Sequence, residues 1–188
     1  MKNLTDFEII ESVKRGNHAD FSILVDRYKN KAFSLLKRIL KNEMEAEEIL
    51  QDSFLKAFNG LKSFKQESKF STWFYRIVYN TALTKLSSKK RKIESEMTSV
   101  EDHLELESKI DYNQMEQKNI SEIINSLIEK LPEKYSSVIN MFYLNGMSCE
   151  EIAEVTSTSV SNVKVLLYRA RNTFKDILVK YNLTEEFR

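Results

Sequence analysis

Glycine and proline are nearly absent from this chain, with three glycines and one proline in 188 residues. Tight β-hairpin turns draw on such residues, so a fold of many short strands is excluded. Gly16, Gly60 and Gly146 each fall between periodic segments, where helices end. No stretch keeps a period-two alternation, and the chain reads as all-α. Cys149 is the single cysteine, which rules out a disulfide framework and points to a reducing compartment. No apolar run approaches the roughly 18 residues a membrane span needs, and the N-terminus lacks a secretory pattern. No membrane insertion and a cytoplasmic location are therefore expected. His18 and His103 stand far apart without partners at ligand spacing, Cys149 has no histidine nearby, and no glycine-rich phosphate loop occurs. The sequence gives no support to an enzyme, a metal site or a cofactor.

What is present is enough apolar material for real cores, 41% hydrophobic and 11% aromatic residues, in one domain or two small ones. The net charge of +1 names no partner, but its distribution does. Between Lys62 and Lys92 stand nine basic residues (Lys62, Lys65, Lys69, Arg76, Lys85, Lys89, Lys90, Arg91 and Lys92) against Glu67 alone. Interleaved are Phe64, Phe70, Trp73, Phe74, Tyr75 and Tyr79. Excess cations neutralise phosphates, and flat rings stack on unpaired bases, so the stretch suggests contact with single-stranded nucleic acid. The blander reading is a helix with a basic outer face and an aromatic inner one, with Trp73 or Phe74 in the core. From Glu94 to Glu122 acids dominate, which suggests an acidic connector between two functional surfaces.

Thr5 or Asp6 suits the cap of a first helix ending near Gly16–Asn17. From Asp20 to Leu40 a strong amphipathic pattern marks a second helix, read as scaffold. Over Met44–Leu61 a third helix buries Ile49, Leu50, Ser53, Phe54, Ala57 and Phe58 and turns Glu48, Gln51, Asp52 and Leu55 outward. A large apolar side chain among acids suits a protein interface, although single exposed leucines are common. Ser71 or Thr72 is the expected cap of the next helix, running to about Ser87. The pattern then divides the chain into two small helical domains, 1–92 and 113–188, joined by a linker over 93–112. In the second, helices are expected from Asn113 to Lys130 and from Pro132 to Asn145–Gly146.

Ser148 then caps a short helix, Cys149–Val155, with Glu151 three residues on as in a capping box. Four polar residues, Thr156–Ser159, form a turn, and Val160, Val163, Leu167, Ala170 and Phe174 mark the buried stripe of a longer helix. Its outer face carries Ser161, Asn162, Val165, Tyr168, Arg169 and Asn172, flanked by Lys164 and Arg171. This matches a helix-turn-helix, whose second helix enters the major groove. Ser159, Ser161, Asn162 and Val165 suit base edges; Lys164, Arg169 and Arg171 suit phosphates. An ordinary helical hairpin is the plain alternative.

The segment LPEKYSSVINMFYLNGMSCEEIAEVTSTSVSNVKVLLYRARNTF resembles the promoter-reading C-terminal domain of bacterial RNA polymerase sigma factors. AEEILQDSFLKAF followed by FKQESKFSTWFYRIVYNTALTKLSSKKRK resembles the N-terminal core domain of that family. The small two-domain chain is similar to the extracytoplasmic-function (ECF) group. The resemblance implies docking of Glu48, Gln51, Asp52 and Leu55 on the β′ clamp helices of core RNA polymerase, with a further contact to its β flap. It implies capture of the melting −10 strand by the loop Phe64–Ser71, including Lys65, Ser68, Lys69 and Ser71, and by Arg76, Tyr79, Asn80 and Lys85. It implies reading of a −35 duplex by the helix-turn-helix, Tyr168 included. The acidic linker would run toward the RNA exit path, and a membrane-bound anti-sigma factor becomes a candidate partner. Three departures stand out: Ser157 where the family usually has glycine, Thr158 where it has an aliphatic residue, and Leu166 where many members have arginine. A stand-alone helix-turn-helix regulator is the rival reading; it leaves the aromatic-basic stretch and the Asp52 face without purpose.

Overall fold

The computed structural model describes residues 4–96 and 120–181; the side chains of 91–96, 120 and 121 lie outside that description. The expected linker beyond Glu96 and the helix onset at Asn113 also fall outside it. Eight α-helices appear among the described residues: α1 Asp6–Lys14, α2 Phe21–Leu40, α3 Glu43–Gly60, α4 Phe70–Glu96, α5 Ile120–Glu129, α6 Glu133–Ile139, α7 Cys149–Thr156 and α8 Val160–Lys180. No strand occurs among the described residues, in line with the all-α expectation. None of these helices is long and apolar enough to cross a membrane.

Local chemistry sets most helix starts. Thr5 and Glu8 form a reciprocal capping box at α1, and Ser148 and Glu151 form another at α7. Asn42 and Ser159 cap α3 and α8 by accepting from the backbone N–H three residues on. Pro132 stands one position before α6, which gives way at Asn140–Leu144 to a π-type turn.

The helix α4 departs from expectation at both ends. It begins at Phe70, ahead of the expected caps Ser71 and Thr72, and it runs to Glu96 instead of ending near Ser87. Near the expected end, Lys85 pairs with Glu48 at 2.9 Å and Lys89 with Glu45 at 3.2 Å, strapping this basic part of α4 to α3.

The N-terminal half, α1–α4, is organised by rings. Phe54 of α3 stacks on Phe74 of α4 at 4.6 Å, and Phe70 lies almost parallel to Phe74 at 5.9 Å. From α2, Phe21 meets Phe54 and Phe58 edge-on, and Tyr28 meets Phe70. Each such pair adds roughly 0.5–1.5 kcal/mol beyond its burial. Gly60 ends α3 where Trp73 passes so closely that a Cβ would lie 3.3 Å from the ring.

The C-terminal half packs α6, α7 and α8 around Val138, Ile139, Met141, Ile152, Val155, Val163 and Leu167. It rests on the first half through α2 against α6 and α4 against α7, so the two expected domains share a contact. The contact continues the apolar core, since buried residues of both halves form one cluster, and polar groups add to it. Asn140 donates to Ser34 at 3.1 Å, Lys69 pairs with Glu151 at 2.8 Å, and Arg38 donates to Asn125 at 2.9 Å. Arg38 is buried, and its Nε and Nη1 find no hydrogen-bond partner among the described residues. Burial pulls its pKa down, opposed by Glu129.

Two substitutions test these local readings. Ser157 ends α7 in the left-handed region at φ 53°, where a Cβ costs energy and glycine does not. Ser157→Gly is expected to stabilise the protein by about 0.5–1 kcal/mol, read as a higher urea midpoint at unchanged slope. Arg38→Met, which removes a buried charge with orphaned donors, is expected to raise stability by roughly 1–2 kcal/mol in the same titration. A lowered midpoint for either variant refutes the account given of that residue.

Candidate nucleic-acid and polymerase interfaces

Two buried lines of contact fix the orientation of α8. Val163, Leu167 and Ala170 face the core, and Leu166 is half-buried at its rim. Ser159, Ser161, Asn162, Lys164, Val165, Tyr168, Arg169 and Arg171 are all exposed, as the sequence pattern predicts. The N-terminal end is braced by a departure from the family pattern: the Asn162 amide donates to the Thr158 hydroxyl at 2.7 Å, and the Thr158 N–H donates to the Ala153 carbonyl at 3.0 Å. A braced Asn162 loses less rotamer freedom when it meets a base edge. Arg171 is held on the outer surface by the Tyr143 hydroxyl at 2.7 Å and stacks over the Phe142 and Tyr143 rings.

The expected polymerase-facing side of α3 is exposed at Glu48, Gln51 and Leu55 and half-exposed at Asp52. Leu55 is 63% exposed, out of step with the buried Ile49, Phe54 and Ala57. Its acids are not idle, because Asp52 pairs with Lys56 at 2.8 Å and Glu48 with Lys85. Lys85 was expected among the −10 contacts, so one residue from each expected surface meets the other. The hydrogen bond to Glu48 raises the Lys85 pKa and keeps it cationic.

The basic-aromatic stretch separates into two faces. Lys65, Lys69, Arg76 and Asn80 are exposed, and Ser68 and Ser71 are half-buried. The rings behave differently from the stacking expectation. Phe64, Phe70, Phe74 and Tyr75 are buried, and Trp73 and Tyr79 are half-buried. Phe64, the ring expected on the loop's DNA side, stacks on Trp73 at 4.7 Å and lies 6% exposed. The bland alternative, an inner aromatic face, describes these six rings better. Tyr79 faces the contact between the halves, where burial and then the charge of Glu133 raise its pKa. Lys69 is committed to Glu151; although burial opposes it, the hydrogen bond from Lys69 helps hold the Glu151 carboxyl below the usual carboxylate range.

A cleft of about 520 Å³ opens beside this loop, walled by Gln66, Ser68 and Lys69 on one side and by α1 and α2 on the other. Here lie residues that sequence reasoning passed over. Phe7 of α1 lines the cleft and is 60% exposed. Asp6 accepts hydrogen bonds from Arg27 and from the Tyr28 hydroxyl, and Arg27 also donates to the Leu4 carbonyl at 2.8 Å. Burial, reinforced by the bond to Asp6, keeps the Tyr28 phenol neutral by pushing its pKa up. The loop is pinned to α1 at two points: Lys14 donates to the Phe64 carbonyl at 2.9 Å and Gln66 to Glu11 at 2.8 Å. The left-handed φ of 61° at Gln66 shapes the loop between them. Phe7 precedes Ile10 by one helical turn and so resembles a core residue in sequence; its placement in an acidic first turn was the only sign of an outer position.

The chain matches two family models, sigma-70 region 2 over residues 24–92 and sigma-70 region 4 over 121–174. It is 33% identical over 183 residues to the ECF RNA polymerase sigma-E factor of Haemophilus influenzae, covering 93% of this chain and 96% of that protein. It is 32% identical over 173 residues to the ECF RNA polymerase sigma factor SigW of Bacillus subtilis, covering 88% and 92%. The fold is similar to CnrH, solved in complex with the cytosolic domain of CnrY, with a TM-score of 0.65 at 23% identity over 92% of this chain and 96% of that one. With both halves matched in order and the likeness spanning nearly the whole length, the chain belongs to the ECF group of RNA polymerase sigma factors, proteins of transcription initiation that are not enzymes.

Proposed function

We propose that this protein works as an alternative sigma factor inside the cell, in the cytoplasm, through three surfaces on two domains spanning 1–92 and 113–188. Glu48, Gln51, Asp52 and Leu55 dock on the β′ clamp helices of core RNA polymerase. Lys65, Ser68, Lys69 and Ser71 of the loop, with Arg76 and Asn80 of α4, hold the non-template strand of the −10 element as it melts. The outer face of α8 reads a −35 duplex, with Ser159, Ser161, Asn162 and Val165 toward bases and Lys164, Arg169 and Arg171 toward phosphates. The chemistry belongs to the polymerase; this chain contributes binding energy and position.

The observation that carries this reading is Leu55, a leucine 63% exposed on the outer face of α3 and bordered by Gln51 and Asp52. A protein that only binds DNA has no use for an apolar anchor among acids, whereas a docking helix does. The pairing of Lys69 with Glu151 and the half-burial of Tyr79 add a condition: full use of the −10 face requires α7 to leave α4. Separation exposes apolar surface that the halves bury against one another, so contacts with polymerase and promoter must offset that loss.

The reading is tested by run-off transcription with bacterial core polymerase and the DNA upstream of the protein's own gene, extended to genomic fragments. A discrete transcript that depends on this chain is expected; absence of both transcript and core binding would hand the case to a stand-alone regulator. Asp52→Lys is expected to weaken core binding about tenfold or more, on the scale of a lost interface hot spot, while binding to a −35 duplex is retained. Equal core affinity for variant and parent would sink the assignment of the α3 face.

A further inference from the structure

The loop expected to capture an unpaired base offers no free ring of its own, since Phe64 is buried against Trp73 and Phe70 is buried beside it. An exposed aromatic side chain nevertheless stands at the cleft that the loop forms, on an element given no role so far. We propose that Phe7 of α1 is the stacking platform for an unpaired nucleobase of the promoter strand, held in the cleft between α1, α2 and the loop. The proposal rests on the −10 reading above and adds α1 to it.

The composition of the cleft favours a base over other occupants. Its volume of about 520 Å³ lies within the range of about 300–1,000 Å³ common to small-molecule sites, ample for one flat ring and its sugar. Phe7 supplies the π-face, to which every base is equally acceptable. Lys69 at the rim supplies charge for a phosphate once it leaves Glu151, and Ser68, Gln66 and Ser71 supply short polar groups at the wall. The one acid in the cleft, Asp6, is met by Arg27 and by the Tyr28 hydroxyl, so it does not present a bare negative charge to a phosphate. An apolar peptide side chain would gain nothing from the cations and serines.

The site is also built in advance. The Thr5–Glu8 capping box fixes the first turn of α1, and Ile9, Ile10 and Val13 anchor that helix in the core. Lys14 and Glu11 bind the loop directly, so Phe7 and the loop wall form one rigid unit. No described residue of the C-terminal half lines the cleft, and that half meets its rim where Glu151 of α7 holds Lys69.

The test uses holoenzyme reconstituted from the full chain and core polymerase. The probe is single-stranded DNA enriched on that holoenzyme from a randomised pool, scored by its excess binding over core polymerase alone. Phe7→Ala is expected to weaken this binding roughly tenfold, on the scale of one lost base–aromatic stack, while Phe7→Trp binds as well as the parent. Core affinity and −35 duplex binding are expected to be unchanged in both variants, because Phe7 is exposed and its truncation removes little packing. Parental strand binding by Phe7→Ala, with Lys69→Ala and Arg76→Ala still weakened, would overturn the role of Phe7 and leave the −10 reading standing. Strand binding that is no better than core alone, or indifferent to all three substitutions, would overturn the −10 reading and this inference together. Loss of core affinity in Phe7→Ala would reassign the ring to a polymerase contact and overturn the proposal.

Discussion

The ring stack running from Phe21 through Phe54 to Phe74 and Phe70 holds α2, α3 and α4 in one frame, and the outer faces of α3 and α4 take their positions from that frame. Aromatic side chains bury large areas and resist rotation once flanked by other rings, so the helices they join cannot slide independently. Because Phe54 is fixed inward on α3, Leu55 must point outward. Because Phe70 and Phe74 are fixed inward on α4, Arg76 and Asn80 face solvent. The stack also commits the rings of the basic-aromatic stretch to structure, leaving cations and small polar groups to meet the partner.

Between the halves the apolar core continues, and polar groups are added to it. Ser34, Arg38, Lys69, Asn125, Asn140 and Glu151 contribute hydrogen bonds and charge, and Arg38 contributes them incompletely. These polar groups give direction to a contact whose apolar part is continuous with the core of each half.

Much of this was legible from sequence where the cause is local. The Ser148 capping box, a cap at Thr5 or Asp6, the outward set on α8 and the exposed Leu55 all follow from spacing over a few residues; the structure bears out the first, the third and the fourth and chooses Thr5 for the second. What was not legible depends on residues distant in the chain. Helix α4 outruns its expected end, and Lys85 and Lys89 near that point meet Glu48 and Glu45, some forty positions earlier. Six rings in one stretch exceed what a helical wheel can sort between core and surface, so Phe64 looked available when Trp73 covers it. Phe7 sits in phase with Ile10 and would pass for core; only the tertiary course of the loop leaves it in the open. Ser157 was flagged as a departure from glycine, and the backbone takes the left-handed geometry regardless.

The bond from Arg27 to the Leu4 carbonyl ties the first described residue to the edge of the cleft. A polypeptide joined directly at Leu4 therefore starts from the edge of that opening. An affinity tag placed there, above all a histidine-rich or acidic one, becomes a tethered competitor at high effective concentration. The choice of vector is therefore itself an experimental variable.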